Sequence, residues 1–228
     1  MTTEAQGALL ATGLSKRYGD VLALHDLDVV VERGELVALV GANGAGKSTF
    51  LRLAAGLLAP TTGDVFVDGF PAGSIEARAN LSYISDQAVL YDDLSVAEHI
   101  EYTSRLHDLD GWPHSADQLL EIFRLEDRVD DLPVQFSRGL RQKTSLVLGL
   151  IRPFAVLLVD EPFVGLDPAG QSALTELLCA AAEAGTAVVV ATHQLGFLEH
   201  ATRCLALREG EPAFDGPVDV ESVRDLLD

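Results

Sequence analysis

Nine consecutive residues, Gly41-Ala42-Asn43-Gly44-Ala45-Gly46-Lys47-Ser48-Thr49, have the types and spacing of a phosphate cradle. The glycines let backbone N–H groups curl around phosphate oxygens, and a helix opening behind them adds partial positive charge at the same place. Lys47 has the reach to touch the outer phosphates, and the Ser48 hydroxyl can hold Mg²⁺, so a nucleoside triphosphate is the natural ligand. Hydrolysing it takes a second acid for the metal and a base for the water. Val156-Leu157-Leu158-Val159-Asp160-Glu161 brings two carboxylates to the end of an apolar run. Asp160 suits the metal shell, and Glu161, facing another side, suits polarisation of the attacking water. Standing alone, such a pair reads as a solvated strand end. The cradle upstream and Pro162 directly behind it favour the chemical reading.

These groups need elements to position them. Leu36 to Val40 is a continuous apolar run before the cradle, and Phe50, Leu51, Ala54, Leu57 and Leu58 recur at helical spacing until Pro60. Val156 to Val159 and Thr186 to Ala191 read as two more buried parallel strands. The helix between them has Asp167 to cap its start, Pro168 at its first position and Gly185 at its end. Residues 7–35 and 61–70 alternate, with turns at Gly19-Asp20, Arg33-Gly34 and Asp68-Gly69, and predict an antiparallel β layer. From about residue 95 to 152 the period is helical: Ser95 and Glu98 form a capping box, and Leu119, Leu120, Ile122 and Phe123 start a second amphipathic element. Within that stretch, Gly111-Trp112-Pro113-His114-Ser115 reads as a surface loop.

Composition bounds the partners. With 228 residues, 48% of them hydrophobic and 22% charged, the chain can bury a sizeable core, which excludes disorder, collagen-like repeats and coiled coil. Sixteen Lys and Arg against 35 Asp and Glu leave a net charge of −19, which repels phosphate backbones, so no nucleic-acid partner is expected. The longest apolar runs fall far short of the roughly 18 residues that cross a bilayer. Cys179 and Cys204 lie in apolar stretches and read as buried thiols in a reducing compartment. The segment Met1 to Gly13 carries an acid and no base before its short apolar patch, so no secretory leader is expected. His25, His99, His107, His114 and His200 show no metal-ligand spacing.

From Leu14 to Gly216 the sequence resembles the ATP-binding subunits of ABC transporters. Phe136-Ser137-Arg138-Gly139-Leu140-Arg141-Gln142-Lys143 looks like that family's signature, with Ser137 able to cap a helix whose positive end faces a γ-phosphate. Arg138, Phe136 and Leu140 depart from the usual signature residues, while Ser137 and Gly139 keep the hydroxyl and the close backbone approach. The SRG form resembles exporter-associated (ABC-2-like) subfamilies. Tyr18 looks like the aromatic that stacks on adenine, Gly165-Leu166-Asp167 like the D-loop at a dimer interface, and His193 like the switch histidine on the γ-phosphate. Where the family usually has Gln, this chain has Asp86, with Gln87 beside it; an Asp there can reach Mg²⁺ directly or through water.

The resemblance implies an α/β fold: a RecA-like P-loop core (36–60 and 153–216), an antiparallel β subdomain (7–35 and 61–70), an inserted all-helical subdomain (87–152) and a C-terminal tail (217–228), together one ABC ATPase domain. Implied with it are ATP and Mg²⁺, and a head-to-tail homodimer or heterodimer sandwiching two ATP molecules. Transmembrane permease subunits would dock near Asp86 to Asp93 through a basic helix, holding the chain as a cytoplasmic, peripheral protein on the inner face of the membrane. A soluble non-transport ABC-type ATPase acting on a protein or nucleic-acid partner is the alternative.

Overall fold

The computed structural model describes residues 7–218. The first six residues of the leader reading and residues 219–228 of the expected tail lie outside the described residues. The chain opens with β1 (Leu9–Tyr18), β2 (Val21–Val31) and β3 (Leu36–Val40), then α1 (Lys47–Ala54), β4 (Thr62–Val67) and β5 (Phe70–Pro71). After α2 (Ile75–Asn80) and β6 (Leu81–Ile84) come three helices, α3 (Val96–Leu106), α4 (Trp112–Phe123) and α5 (Arg138–Leu150). β7 (Val156–Asp160), α6 (Pro168–Glu183), β8 (Ala187–Ala191), β9 (Arg203–Arg208) and β10 (Glu211–Pro217) complete it.

Two sheets form, a four-stranded antiparallel one in the order β2-β1-β4-β5 and a six-stranded one in the order β10-β9-β3-β8-β7-β6. In the larger sheet β9, β3, β8, β7 and β6 run parallel and β10 closes the edge antiparallel. All residues of β3, β7 and β8 are buried, because both faces of this sheet are covered. Alternation along each strand divides them between two cores. Ala38, Val40, Leu157, Val159, Val188 and Val190 pack with Ile100, Phe123, Leu146, Leu174 and Leu178 of α3 to α6. Val37, Leu39, Val156, Leu158 and Val189 pack with Phe50, Leu51 and Leu53 of α1 and with Leu9, Leu14, Leu24 and Leu27 of the antiparallel sheet. Among the described residues no helix is long and apolar enough to cross a membrane.

Register decides what emerges where. Leu39 and Asp160 both pair with Ala191, and Val159 pairs with Ile84. Gly41, Glu161, His193 and Asp86 therefore leave the sheet at one carboxyl edge, the usual place for ligands in open parallel sheets.

Two local expectations change. Residues 112–115 are not loop: α4 begins at Trp112, with Gly111 left-handed (φ 66°) before it and Pro113 in the first turn. Proline there loses no intrahelical bond, since the first-turn N–H groups have none. Asp167 occupies the N-cap position of α6, yet its side chain caps nothing; Lys143 Nζ, 3.3 Å away, draws the carboxylate off and holds its pKa down. The Ser95/Glu98 capping box is present at α3. The thiols of Cys179 and Cys204 are both unpaired, and burial pushes the latter's pKa up to about 11.

Candidate active site

The cradle is built from backbone that only glycine tolerates. Gly44 and Gly46 are left-handed, with φ of 83° and 104°, and a Cβ on Gly46 would fall 2.8 Å from the Ala23 carbonyl oxygen. β2 thus presses directly on the loop. Gly46 has no side chain to cap α1, so the first N–H groups of the helix, at Lys47, Ser48 and Thr49, are left for an anion. Ala45 donates its N–H to the Ala42 carbonyl and accepts from Gly210, while Asn43 and Gly44 stand exposed at the tip. Lys47 is buried, and its ammonium donates to the carbonyls of Gly41 (2.7 Å) and Ala42 (3.4 Å), with Glu161 Oε1 3.7 Å away.

Asp160 and Glu161 have different surroundings despite being adjacent. Asp160 is fully buried and neither carboxylate oxygen has a hydrogen-bond partner. Burial, with Asp86 and Glu161 nearby, pushes its pKa up, while the Ser48 hydroxyl and Arg52 pull the other way. With only the Ser48 hydroxyl near enough to help and no hydrogen bond closed, this buried carboxylate needs a counter-charge. The Ser48 hydroxyl, the Asp160 carboxylate and Asp86, whose Oδ1 is likewise unpartnered, form an all-oxygen donor set that fits a hard divalent cation completed by phosphate and water. Glu161 turns away through a left-handed backbone (φ 46°), its N–H donating to the Ala191 carbonyl at 2.8 Å. The turn aims its carboxylate at Lys47 on one oxygen and at His193 on the other, Nδ1 to Oε2 being 2.8 Å.

The remaining residues lie apart. Tyr18 ends β1, 47% exposed, with the Lys16 ammonium 5.2 Å from its ring centroid. Ser137 is exposed at the N-cap of α5, its Oγ accepting from the Leu140 N–H at 3.3 Å. Among the described residues no hydrogen bond or ion pair joins Ser137 or Gly139 to residues 41–49. Gly139 instead abuts the loop before α6: a Cβ on it would lie 2.4 Å from the Gly165 carbonyl oxygen. That contact, the Lys143–Asp167 pair and Arg52 beside Asp86 (3.8 Å) are absent from a reading of the sequence alone. Spacing could not reveal them, because each partner lies on a different element.

Residues 24–164 match the ABC transporter family. The chain belongs to the ABC transporter family. It is an ATP-binding cassette of that family, and an ATPase. The SkfA peptide export ATP-binding protein SkfE of Bacillus subtilis (strain 168) is 35% identical over 205 residues, covering 87% of this chain and 84% of the relative. The ABC-type transporter ATP-binding protein EcsA of the same organism is 34% identical, covering 82% and 78%. A solved ATP-binding subunit of an ABC transporter superposes with a TM-score of 0.89 at 32% identity, over 96% of this chain and 93% of that one. A dimeric ATP-binding cassette, MJ0796, in a post-hydrolysis state with ADP and Pi, shares the fold at TM-score 0.84 and 24% identity, over 92% and 99%. The non-transport alternative is not favoured: these ABC relatives carry transporter names.

Proposed function

We propose that this ABC cassette hydrolyses ATP at a site shared by two chains and so powers transport through separate membrane subunits, in the manner its relatives' export and transporter names suggest. The observation carrying the shared site is the separation of halves: Lys47, Ser48, Asp160 and Glu161 gather at one sheet edge, while Ser137, exposed at the N-cap of α5, and the half-buried Gly139 have, among the described residues, no hydrogen bond or ion pair to the cradle. A second chain brings the missing half. On ATP binding, Lys47 exchanges the carbonyls of Gly41 and Ala42 for the outer phosphates, the N–H groups of residues 44–49 close around them, and Tyr18 stacks on adenine. The partner chain's α5 supplies its helix N-terminus and serine hydroxyl to the γ-phosphate, with Asp167 near the junction. Glu161, steadied by the His193 Nδ1–H, orients water for attack, and His193 takes up charge on the transferred phosphoryl group. Ser48, Asp160 and Asp86 would hold Mg²⁺, which when bound would neutralise phosphate charge.

A cavity of about 710 Å³ between α2, β6 and the end of α3 is the docking place we assign to a membrane subunit, which would hold the chain as a peripheral protein on the inner face of the membrane. Leu57, Ile75, Leu81, Tyr83 and Leu106 line it with apolar surface, beside Arg78, Arg152 and Asp108. The neighbouring segment of acids is anchored: the Tyr91 N–H donates to His99 Nε2 at 2.9 Å. Arg52 and Arg141 already face Asp86 and Asp92. Apolar burial therefore outweighs charge in docking, and a basic helix gains only the remaining acid. The expected result is an integral membrane protein recovered with this chain in detergent, its recovery falling no more than several-fold at high salt and lost in Leu106→Glu. A soluble or ribosomal partner in its place refutes the transport reading.

A further inference from the structure

One arginine stands at the cation end of the site with no place in the steps above. Arg52 lies in the last turn of α1, and its guanidinium is 3.8 Å from Asp86 Oδ1, within ion-pair range and beyond hydrogen-bond range. That oxygen is shut off from water and unpartnered, as are both oxygens of Asp160 and the Tyr83 hydroxyl. All three groups hold the charge on Arg52, Tyr83 most strongly. Its first support is the Tyr83 hydroxyl, while the carboxylates of Asp86 and Asp160 act on it through charge alone, so no hydrogen bond ties the guanidinium to either acid. Its side chain is 49% exposed, so it can withdraw into water at little cost.

We infer that Arg52 is the resident counter-ion of the cation site: it balances Asp86 before a divalent cation arrives, and the cation must compete with it for that carboxylate. The inference rests on the reading that Ser48 and Asp160 hold the cation. Its physical root is the acid at position 86. Two carboxylates converging on one buried spot repel each other until a positive charge intervenes. A neutral amide at position 86 would need no such partner. Arg52 is thus a positioning residue that sets how readily the site accepts a divalent ion.

The test is Mn²⁺ titration of the ADP-loaded chain, read by electron paramagnetic resonance, with no turnover involved. Arg52→Met is expected to tighten Mn²⁺ about tenfold, the scale of one unit charge removed from a few ångströms away. Asp86→Asn is expected to weaken Mn²⁺. In the double variant the gain from Arg52→Met should largely vanish, because the carboxylate it freed is gone. Unchanged affinity in Arg52→Met, or the same gain with and without Asp86, overturns the inference. Asp160→Asn separates the two levels. If it leaves Mn²⁺ affinity untouched, the site reading itself fails; if it weakens Mn²⁺ while Arg52→Met does nothing, only the counter-ion role falls. Should Arg52→Met lower ADP affinity in EDTA, the charge-keeping Arg52→Lys decides: parental Mn²⁺ affinity upholds the role, and altered affinity overturns it.

Discussion

Glu161→Gln is expected to keep ATP bound while turnover falls roughly 10²- to 10⁴-fold, the usual worth of a general base. The amide matches the carboxylate in size and can still accept from His193 Nδ1, so the cradle keeps its shape. What it loses is the negative charge that orients and deprotonates water, and that also stands 3.7 Å from the Lys47 ammonium. Removing that charge from beside the incoming triphosphate does not weaken ATP and relieves a repulsion. Two chains should then accumulate as a nucleotide-bound dimer. Phosphate release and size-exclusion chromatography with ATP check both halves. Normal turnover would remove Glu161 from the base position, and a monomer with ATP bound would refute the shared site.

Gly139→Ala should separate binding from hydrolysis in the opposite way. The added methyl group meets the Gly165 carbonyl oxygen at 2.4 Å, and backbone cannot yield as a flexible side chain would. Either the start of α5 or the loop before α6 must move, at a cost of about 1–3 kcal/mol in stability. Single-chain ATP affinity is expected to stay, since the cradle rests on β3, α1 and β2, away from this contact. ATP-driven association should be lost and hydrolysis cut by about 10²-fold or more, as when one donor to a developing oxyanion is removed. Arg138→Gly is the control: Arg138 is exposed at the first position of α5, and its loss leaves the Gly139–Gly165 contact alone. Nucleotide titration, thermal melting and phosphate release distinguish these outcomes. Equal losses in ATP binding and hydrolysis would mean the substitution acts through general unfolding.

The residues proposed to carry the chemistry were legible wherever the signal was local. Three short apolar runs rich in β-branched residues read as buried strands, and glycines followed by Lys47-Ser48 read as a phosphate loop opening a helix. A serine three residues before Glu98 declared the start of α3. Such signals act over a few residues, through backbone sterics and the period of apolar side chains. Other elements escaped this reading: α2 is six residues long, and β9 and β10 pair as a hairpin at the sheet edge.

Tertiary structure alone decided which charge meets which. Asp167 has the type and place of a helix cap, yet the start of α5, lying against the loop before α6, gives it Lys143 instead. Asp86 is read from sequence as a metal acid, and only the approach of β6 to α1 puts Arg52 next to it. Glu161 faces Lys47 and His193 because parallel register brings the ends of β3, β7 and β8 to one edge. An ion pair is chosen by distance after the elements have packed, and no spacing along the chain encodes a distance between elements.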